Sequence, residues 1–165
     1  MKRTDIDLRQ IKLVATDCDG VLTNGGLYYS ANGDVLRRFC VLDGVGFQNL
    51  KRAGIMAAII TSSPVDSIRA RANQLKVDFL SMGNSDKLEV LSRLCKENGI
   101  QLREAVYIGD DIFDIPAIEA AGVGVVPASA FDQIKQHADY VTHRGGGMGC
   151  FREVCDLILS GGQIQ

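Results

Sequence analysis

The stretch Val14-Ala15-Thr16-Asp17-Cys18-Asp19-Gly20 runs an apolar strand straight into two aspartates one residue apart and then into glycine. Side chains of a strand alternate faces, so Asp17 and Asp19 are expected on one side at the strand's carboxyl end, where open parallel sheets keep their ligand crevice. Two carboxylates this close repel unless a cation sits between them. Magnesium meets that need, because it takes hard oxygen ligands and keeps waters that a phosphate can replace. Asp-x-Asp-Gly also opens calcium loops, but such a loop needs further ligands two residues on and a glutamate at its twelfth position. Here those places hold Val21, Thr23 and Tyr28.

Three further segments supply candidate partners. Ile55 to Ile60 reads as a buried strand and stops at Thr61-Ser62-Ser63-Pro64, hydroxyls followed by a proline suited to a helix's first turn. The free amides of a helix N-terminus attract anions. Asp86-Lys87 opens the amphipathic run Leu88 to Cys95, which holds an ammonium near a loop end facing the sheet. Taken alone, such a lysine is most often a solvated surface charge. Ala105 to Ile108 is another buried strand and ends in Gly109-Asp110-Asp111-Ile112-Phe113-Asp114, a second acidic cluster. Asp114 reads equally as a carboxylate favoured by the dipole at a helix N-terminus.

Apolar strands near 13–16, 55–60, 77–80, 104–108 and 122–126 alternate with helical patterns near 44–53, 65–76, 86–98, 114–121 and 130–137. That alternation marks βαβ units and predicts a three-layer, Rossmann-like α/β domain, a parallel sheet flanked by helices. A chain of 165 residues with 46% hydrophobic content buries one core, so a single domain over 1–165 is expected. Phe151 to Leu159 reads as a closing helix before Gly161-Gly162. No internal repeat, linker or low-complexity stretch interrupts the pattern.

The net charge of −2, without a like-sign block, offers no field for nucleic acid. No apolar run approaches the ~20 residues needed to span a bilayer, so no membrane partner is expected. The polar start Met1-Lys2-Arg3-Thr4-Asp5 lacks a signal peptide's apolar segment, and cytoplasmic residence is expected. Five cysteines without Cys-x-x-Cys spacing predict free thiols in place of disulfides or zinc, with Cys18 packed on the strand's far face. His137 and His143 have no cysteine partners at metal spacing and read as surface or loop residues.

Between Asp19 and Ile55 lies one insertion. Gly26 to Ser30 and Val35 to Cys40 flank Ala31-Asn32-Gly33-Asp34, a turn sequence, and predict a β-hairpin over about 26–41. After the hairpin and one helix no length remains for a cap domain, so the site should be open in a monomer. An isolated two-stranded ribbon is marginally stable, which predicts that this apolar hairpin pairs with other copies in a homo-oligomer.

The order of a strand with Asp17-x-Asp19, a strand with Thr61-Ser62, Lys87, and a strand with Gly109-Asp110-Asp111-x-x-Asp114 resembles the haloacid dehalogenase superfamily of phosphohydrolases. The resemblance implies that Asp17 is a nucleophile forming an aspartyl-phosphate and that Asp19 protonates the leaving oxygen and then activates water. It implies that Thr61, Ser62 and Lys87 hold the phosphoryl group. Mg2+ would sit on Asp17, Asp110 and the Asp19 carbonyl, with Asp111 and Asp114 as auxiliary ligands. The capless form, the hairpin and Asp43-Gly44-Val45-Gly46 resemble the 3-deoxy-D-manno-octulosonate 8-phosphate phosphatases within that superfamily. Arg144 to Glu153 likewise looks like the Gly-rich tail (about 144–165) that enters a neighbouring active site in that family's tetramers, and a homotetramer is implied. The bland alternative is a flexible linker before the last helix.

Members of that family usually carry Thr-Gly-Arg where this chain has Thr61-Ser62-Ser63. An arginine for the sugar carboxylate is then missing at that place, and Arg69 or Arg71 on the following helix is expected to replace it, since a guanidinium matches a carboxylate bidentately. The same departure leaves nine-carbon substrates open, 2-keto-3-deoxynononate and N-acetylneuraminate 9-phosphates. Two non-enzymatic readings share the residues: a receiver-type signalling domain, whose phospho-acceptor normally sits on a different strand from its acidic pair, and a regulatory subunit that keeps the fold and metal site.

Overall fold

The computed structural model describes residues 6–33, 35–161 and 163–164. Met1–Asp5, on which the leader expectation rests, Asp34 of the hairpin turn and Gly162 of the tail lie outside the described residues. In chain order the elements are β1 (Ile6–Asp7), β2 (Leu13–Thr16), β3 (Tyr28–Tyr29), β4 (Val35–Leu36), α1 (Val41–Arg52), β5 (Met56–Thr61), α2 (Asp66–Leu75), β6 (Phe79–Met82), α3 (Lys87–Glu97) and β7 (Ala105–Ile108). They continue as α4 (Ile115–Ala120), β8 (Val123–Val126), α5 (Asp132–Lys135), β9 (Tyr140–Val141), α6 (Cys150–Leu159) and β10 (Gln163–Ile164).

One six-stranded sheet, in the order β6-β5-β2-β7-β8-β9 and parallel throughout, carries the fold. Every residue of β2, β7 and β8 is buried, as a sheet covered on both faces requires. Alternation divides the core in two. Val14, Ile59, Val106 and Ile108 pack with Phe47, Leu50, Ile68, Phe151 and Val154 of α1, α2 and α6. Leu13, Ala15, Ile60 and Tyr107 pack with Leu91, Leu94, Ile118 and Ile134 of α3, α4 and α5. Phe47 stacks on Phe151 with centroids 4.1 Å apart, and Gly46 makes that approach feasible, since a Cβ there would lie 3.2 Å from the Arg152 Cα.

The five expected strands are present, shifted by up to two residues, and the sheet has a sixth. β9 has two residues, too few for periodicity to register. A second unexpected pairing is antiparallel: β1 joins β10, Ile6 opposite Ile164, and ties the two ends of the described chain together. α1 begins three residues earlier than the pattern suggests, and α5 is a single turn. The hairpin is present as β3 paired with β4, Tyr28 opposite Leu36, closed at its base by a Thr23–Phe39 bridge.

Within its own chain the Gly-rich stretch Gly145–Gly149 is a packed strap in place of the loose linker that was the bland alternative. The Gly147 amide donates to the Val21 carbonyl at 2.9 Å and the Gly146 amide to Ser129 Oγ at 2.9 Å. A Cβ on Gly146 would fall 1.9 Å from the Gly20 carbonyl oxygen, so glycine is what lets this strap lie on the loop after Asp19. No helix among the described residues is long and apolar enough to cross a membrane.

Candidate active site

β2 lies between β5 and β7, with Thr16 level with both Ile59 and Ile108, so the three strand ends that carry polar residues open on one edge. The Asp17 amide still bonds the Ile108 carbonyl at 2.8 Å, the last contact of the ladder. The chain then turns about the Cys18 carbonyl, which accepts from the amides of Val21, Leu22 and Thr23. Asp17 and Asp19 therefore share a side because of this turn; strand alternation ends at Thr16. Cys18 points into the core, as expected.

Asp17 and Lys87 are both buried, and the Lys87 ammonium stands 2.8 Å from Asp17 Oδ2 and 2.9 Å from Asp114 Oδ1. Asp114 has no exposed surface and accepts four bonds: Lys87 and the Tyr107 hydroxyl (2.8 Å) on Oδ1, the Asp110 and Asp111 amides (3.0 and 3.1 Å) on Oδ2. Asp114 thus does more than favour a helix end. It anchors the lysine and folds the Gly109–Asp114 turn around its own carboxylate. Burial alone would push the Lys87 ammonium down, but the two carboxylates outweigh it and hold its pKa above the usual lysine value.

Oxygens of Asp17, Asp110 and Asp114 lie within 4.8 Å of one another. Burial, reinforced by the charge of Asp114, raises the Asp17 pKa despite Lys87. Burial and the charges of Asp17, Asp114 and Asp111 push Asp110 up to about 7. One ammonium does not neutralise three clustered carboxylates, and a hard divalent cation fits that deficit. Asp114 is saturated by donors, so Asp17 and Asp110 are the carboxylates with oxygen left for a metal. The Gly20 backbone makes room for this arrangement: its φ is +84°, and a Cβ there would meet Asp110 Oδ2 at 1.9 Å.

An open depression of about 240 Å³ is lined by Asp17, Asp19, Gly20, Gly25, Ser62, Lys87, Asp110, Asp111 and Phe113. Asp19 is held at its edge by Arg37, with Nε 2.7 Å from Oδ1 and Nη2 3.0 Å from Oδ2. Arg37 Nη2 also donates to Ser63 Oγ at 3.0 Å. Thr61 is buried, and its hydroxyl accepts the Ser63 amide at 3.2 Å, shaping the turn that leaves Ser62 exposed in the depression.

Of the residues expected to bind or catalyse, the structure brings Asp17, Asp19, Ser62, Lys87, Asp110 and Asp111 into one depression, with Thr61 and Asp114 directly beneath. Arg69 and Arg71 are not among its lining residues. Arg69 is exposed on α2. Arg71 reaches the Cys40 carbonyl at 3.0 Å and Gln74 at 2.9 Å, lies over the Phe39 ring, and lines a separate hollow between α1 and α2. Two participants escaped the sequence reading. Tyr107 had a signal, since a buried tyrosine in an aliphatic strand needs a partner for its hydroxyl. Arg37 had none, because Arg37 and Arg38 are adjacent and only the fold sends one to Asp19 and the other to the Gly147 carbonyl.

A family model described as haloacid dehalogenase-like hydrolase matches residues 51–145. The 3-deoxy-D-manno-octulosonate 8-phosphate phosphatase of Haemophilus influenzae is 38% identical over 152 residues, covering 92% of this chain and 84% of that protein. Among solved structures, the 3-deoxy-D-manno-octulosonate 8-phosphate phosphatase of Moraxella catarrhalis, in complex with a magnesium ion, a phosphate ion and the sugar acid, superposes with a TM-score of 0.91. It is 40% identical, and the match covers 94% of this chain and 89% of that one. The cobalt-bound form of the Haemophilus influenzae enzyme superposes with a TM-score of 0.90 at 38% identity, over 93% of this chain and 90% of that one.

Proposed function

This chain belongs to the haloacid dehalogenase-like hydrolases, and from that premise we propose that it is a magnesium-dependent phosphatase of 3-deoxy-D-manno-octulosonate 8-phosphate. The observation that carries the reading is the buried Lys87 shared by Asp17 and Asp114 beside Asp110. It supports a carboxylate nucleophile poised against a phosphate in a place built for one added cation.

Asp17 attacks phosphorus, the ester P–O bond breaks, and the departing sugar oxygen takes a proton from Asp19. A water then gives a proton to Asp19 and attacks the same phosphorus, and the aspartyl P–O bond breaks to release phosphate and restore Asp17. Splitting one displacement into two lowers each barrier, and one group two residues along serves both proton transfers. Lys87 holds Asp17 in place and offsets charge on the phosphoryl group, and the Ser62 hydroxyl donates to a phosphoryl oxygen. Asp17, Asp110 and the Asp19 carbonyl would hold magnesium, which when bound supplies positive charge to the phosphate.

The proposal includes a cytoplasmic homo-oligomer, a tetramer, in which neighbours cover the open depression. Leu27, Tyr28, Tyr29 and Leu36 of the hairpin are 48–68% exposed, more apolar surface than a lone ribbon keeps in water. Light scattering is expected to give a tetramer mass, and Tyr29→Asp to lower both mass and activity.

Phosphate release from the eight-carbon 8-phosphate, the two nine-carbon 9-phosphates and a generic sugar phosphate, with and without magnesium, tests the reading. Magnesium-dependent preference for the eight-carbon substrate supports it. Preference for a nine-carbon substrate moves the specificity, and no turnover with any of them removes the phosphatase reading.

A further inference from the structure

We infer that Arg37 is a positioning residue for the reaction, holding the Asp19 carboxyl where it meets the leaving oxygen; this rests on the phosphatase reading above. Arg37 follows β4 in the hairpin, between the exposed Leu36 and the exposed Arg38. Its own side chain is only 5% exposed, although nothing in a two-residue strand demands that a guanidinium be buried. The burial is explained by what it grips. Nε and Nη2 take both oxygens of Asp19, at 2.7 and 3.0 Å, in the two-point geometry that a planar guanidinium provides and an ammonium does not. The other side-chain bond to Asp19 among the described residues is long, 3.4 Å from Thr23 Oγ1. Nη2 is also tied to Ser63 Oγ, so the arginine keys Asp19 to the turn whose Ser62 lines the depression. Nη1 is buried and has no hydrogen-bond partner among the described residues, which fits a side chain placed for what its other nitrogens hold.

The Asp19 side chain is 31% exposed, so water can solvate it when Arg37 is removed, and the fold has little to lose. What is lost is a fixed direction for the carboxyl, and misplacement of a reacting group by about 1 Å can cost ~10²-fold. The loss should depend on the leaving group. An alkyl oxygen of a sugar needs the proton as its bond to phosphorus breaks, whereas 4-nitrophenolate leaves without one.

The experiment compares wild type, R37M, R37K, D19N and the R37M/D19N double variant on an alkyl sugar phosphate and on 4-nitrophenyl phosphate, with magnesium saturating. For R37M, kcat/KM on the alkyl substrate is expected to fall about 30-fold and on 4-nitrophenyl phosphate less than about 3-fold. R37K should fall between wild type and R37M, because it keeps the charge and loses the fork. In the D19N background R37M should cost nothing further, since residues that act as one unit are not additive. Equal losses on both substrates, or an undiminished loss on top of D19N, would overturn the assignment while leaving the phosphatase reading intact. Wild type without turnover on either substrate would remove that reading, and the assignment with it. Should R37M fail to fold, the leaving-group ratio of R37K decides.

Discussion

Lys87 bridges Asp17 and Asp114 through one ammonium, 2.8 Å from the first carboxylate and 2.9 Å from the second, with 3% of its side chain exposed. Two buried carboxylates answered by one cation leave a negative balance, and the removal of either partner of a buried pair is costly. Lys87→Met is therefore expected to lower stability by about 3–5 kcal/mol in urea denaturation. Its phosphate release should fall by about 10²–10³-fold, as for loss of a charge-stabilising donor. Retention of wild-type turnover would show that the ammonium holds the fold only.

Tyr107 gives a second handle on the same carboxylate without touching the lysine. Its hydroxyl donates to Asp114 Oδ1 at 2.8 Å in a fully buried setting. Tyr107→Phe removes that donor and leaves Lys87 in place, so a loss of about 1–2 kcal/mol is expected in urea, with kcat reduced less than about 3-fold. A larger kinetic than thermodynamic effect would place Tyr107 in the chemistry itself.

The Gly20 backbone lies directly against Asp110, the carboxylate that the proposed reading gives to magnesium. Its φ of +84° and the 1.9 Å that would separate an added Cβ from Asp110 Oδ2 both resist substitution. Gly20→Ala is expected to displace Asp110 and raise the magnesium concentration for half-maximal activity by about 10–100-fold, the range seen when groups supporting a metal ligand are altered. A titration of activity against magnesium reads this directly, and an unchanged midpoint would mean that Asp110 is not a ligand.

Asp43 sets a pH dependence away from the acidic cluster. It is 2% exposed and accepts the Arg152 amide at 3.0 Å, and its burial pushes the carboxyl up to about 6 from the ordinary 3.8. Between those values the folded chain keeps a proton that the unfolded chain has released, so the stability contributed by Asp43 is present below pH 4 and lost as pH rises through 6. The difference is about 3 kcal/mol. Asp43→Asn keeps an oxygen for the Arg152 amide and should flatten this part of the stability curve in denaturation measurements from pH 4 to 7. A variant curve parallel to wild type would rule out the assignment.

The raised carboxyls of the site extend the same trend. Asp110, pushed up to about 7, and Asp17, raised in the same direction, make the metal-free chain lose stability as pH rises through neutrality. Saturating magnesium favours the ionised carboxylates and should remove this slope while leaving that of Asp43, so paired melting curves with and without metal separate the two. Identical slopes would mean that no cation occupies the cluster.

The sheet and the order of its polar strand ends were legible in the amino-acid pattern. Buried runs such as Val14–Thr16 and Ala105–Ile108 alternate with amphipathic stretches, and that local periodicity is enough to call a parallel sheet with Asp17, Thr61 and Asp110 at its ends. The place of Lys87 at the first turn of an amphipathic helix was legible in the same way, but periodicity alone read it as a surface charge, and only the resemblance gave it a role. Which charged side chains meet depends on how the folded segments are placed. Arg37 and Arg71 are alike in the sequence, yet the hairpin carries the first to Asp19 and α2 carries the second to the Cys40 carbonyl. The Gly145–Gly149 strap had the composition of a loose tail, and its fit against Gly20 and Val21 depends on residues more than a hundred positions away. A short-range pattern records how each segment buries its own apolar face. Ion pairs and close backbone approaches are set by the relative placement of segments, and no local period encodes that.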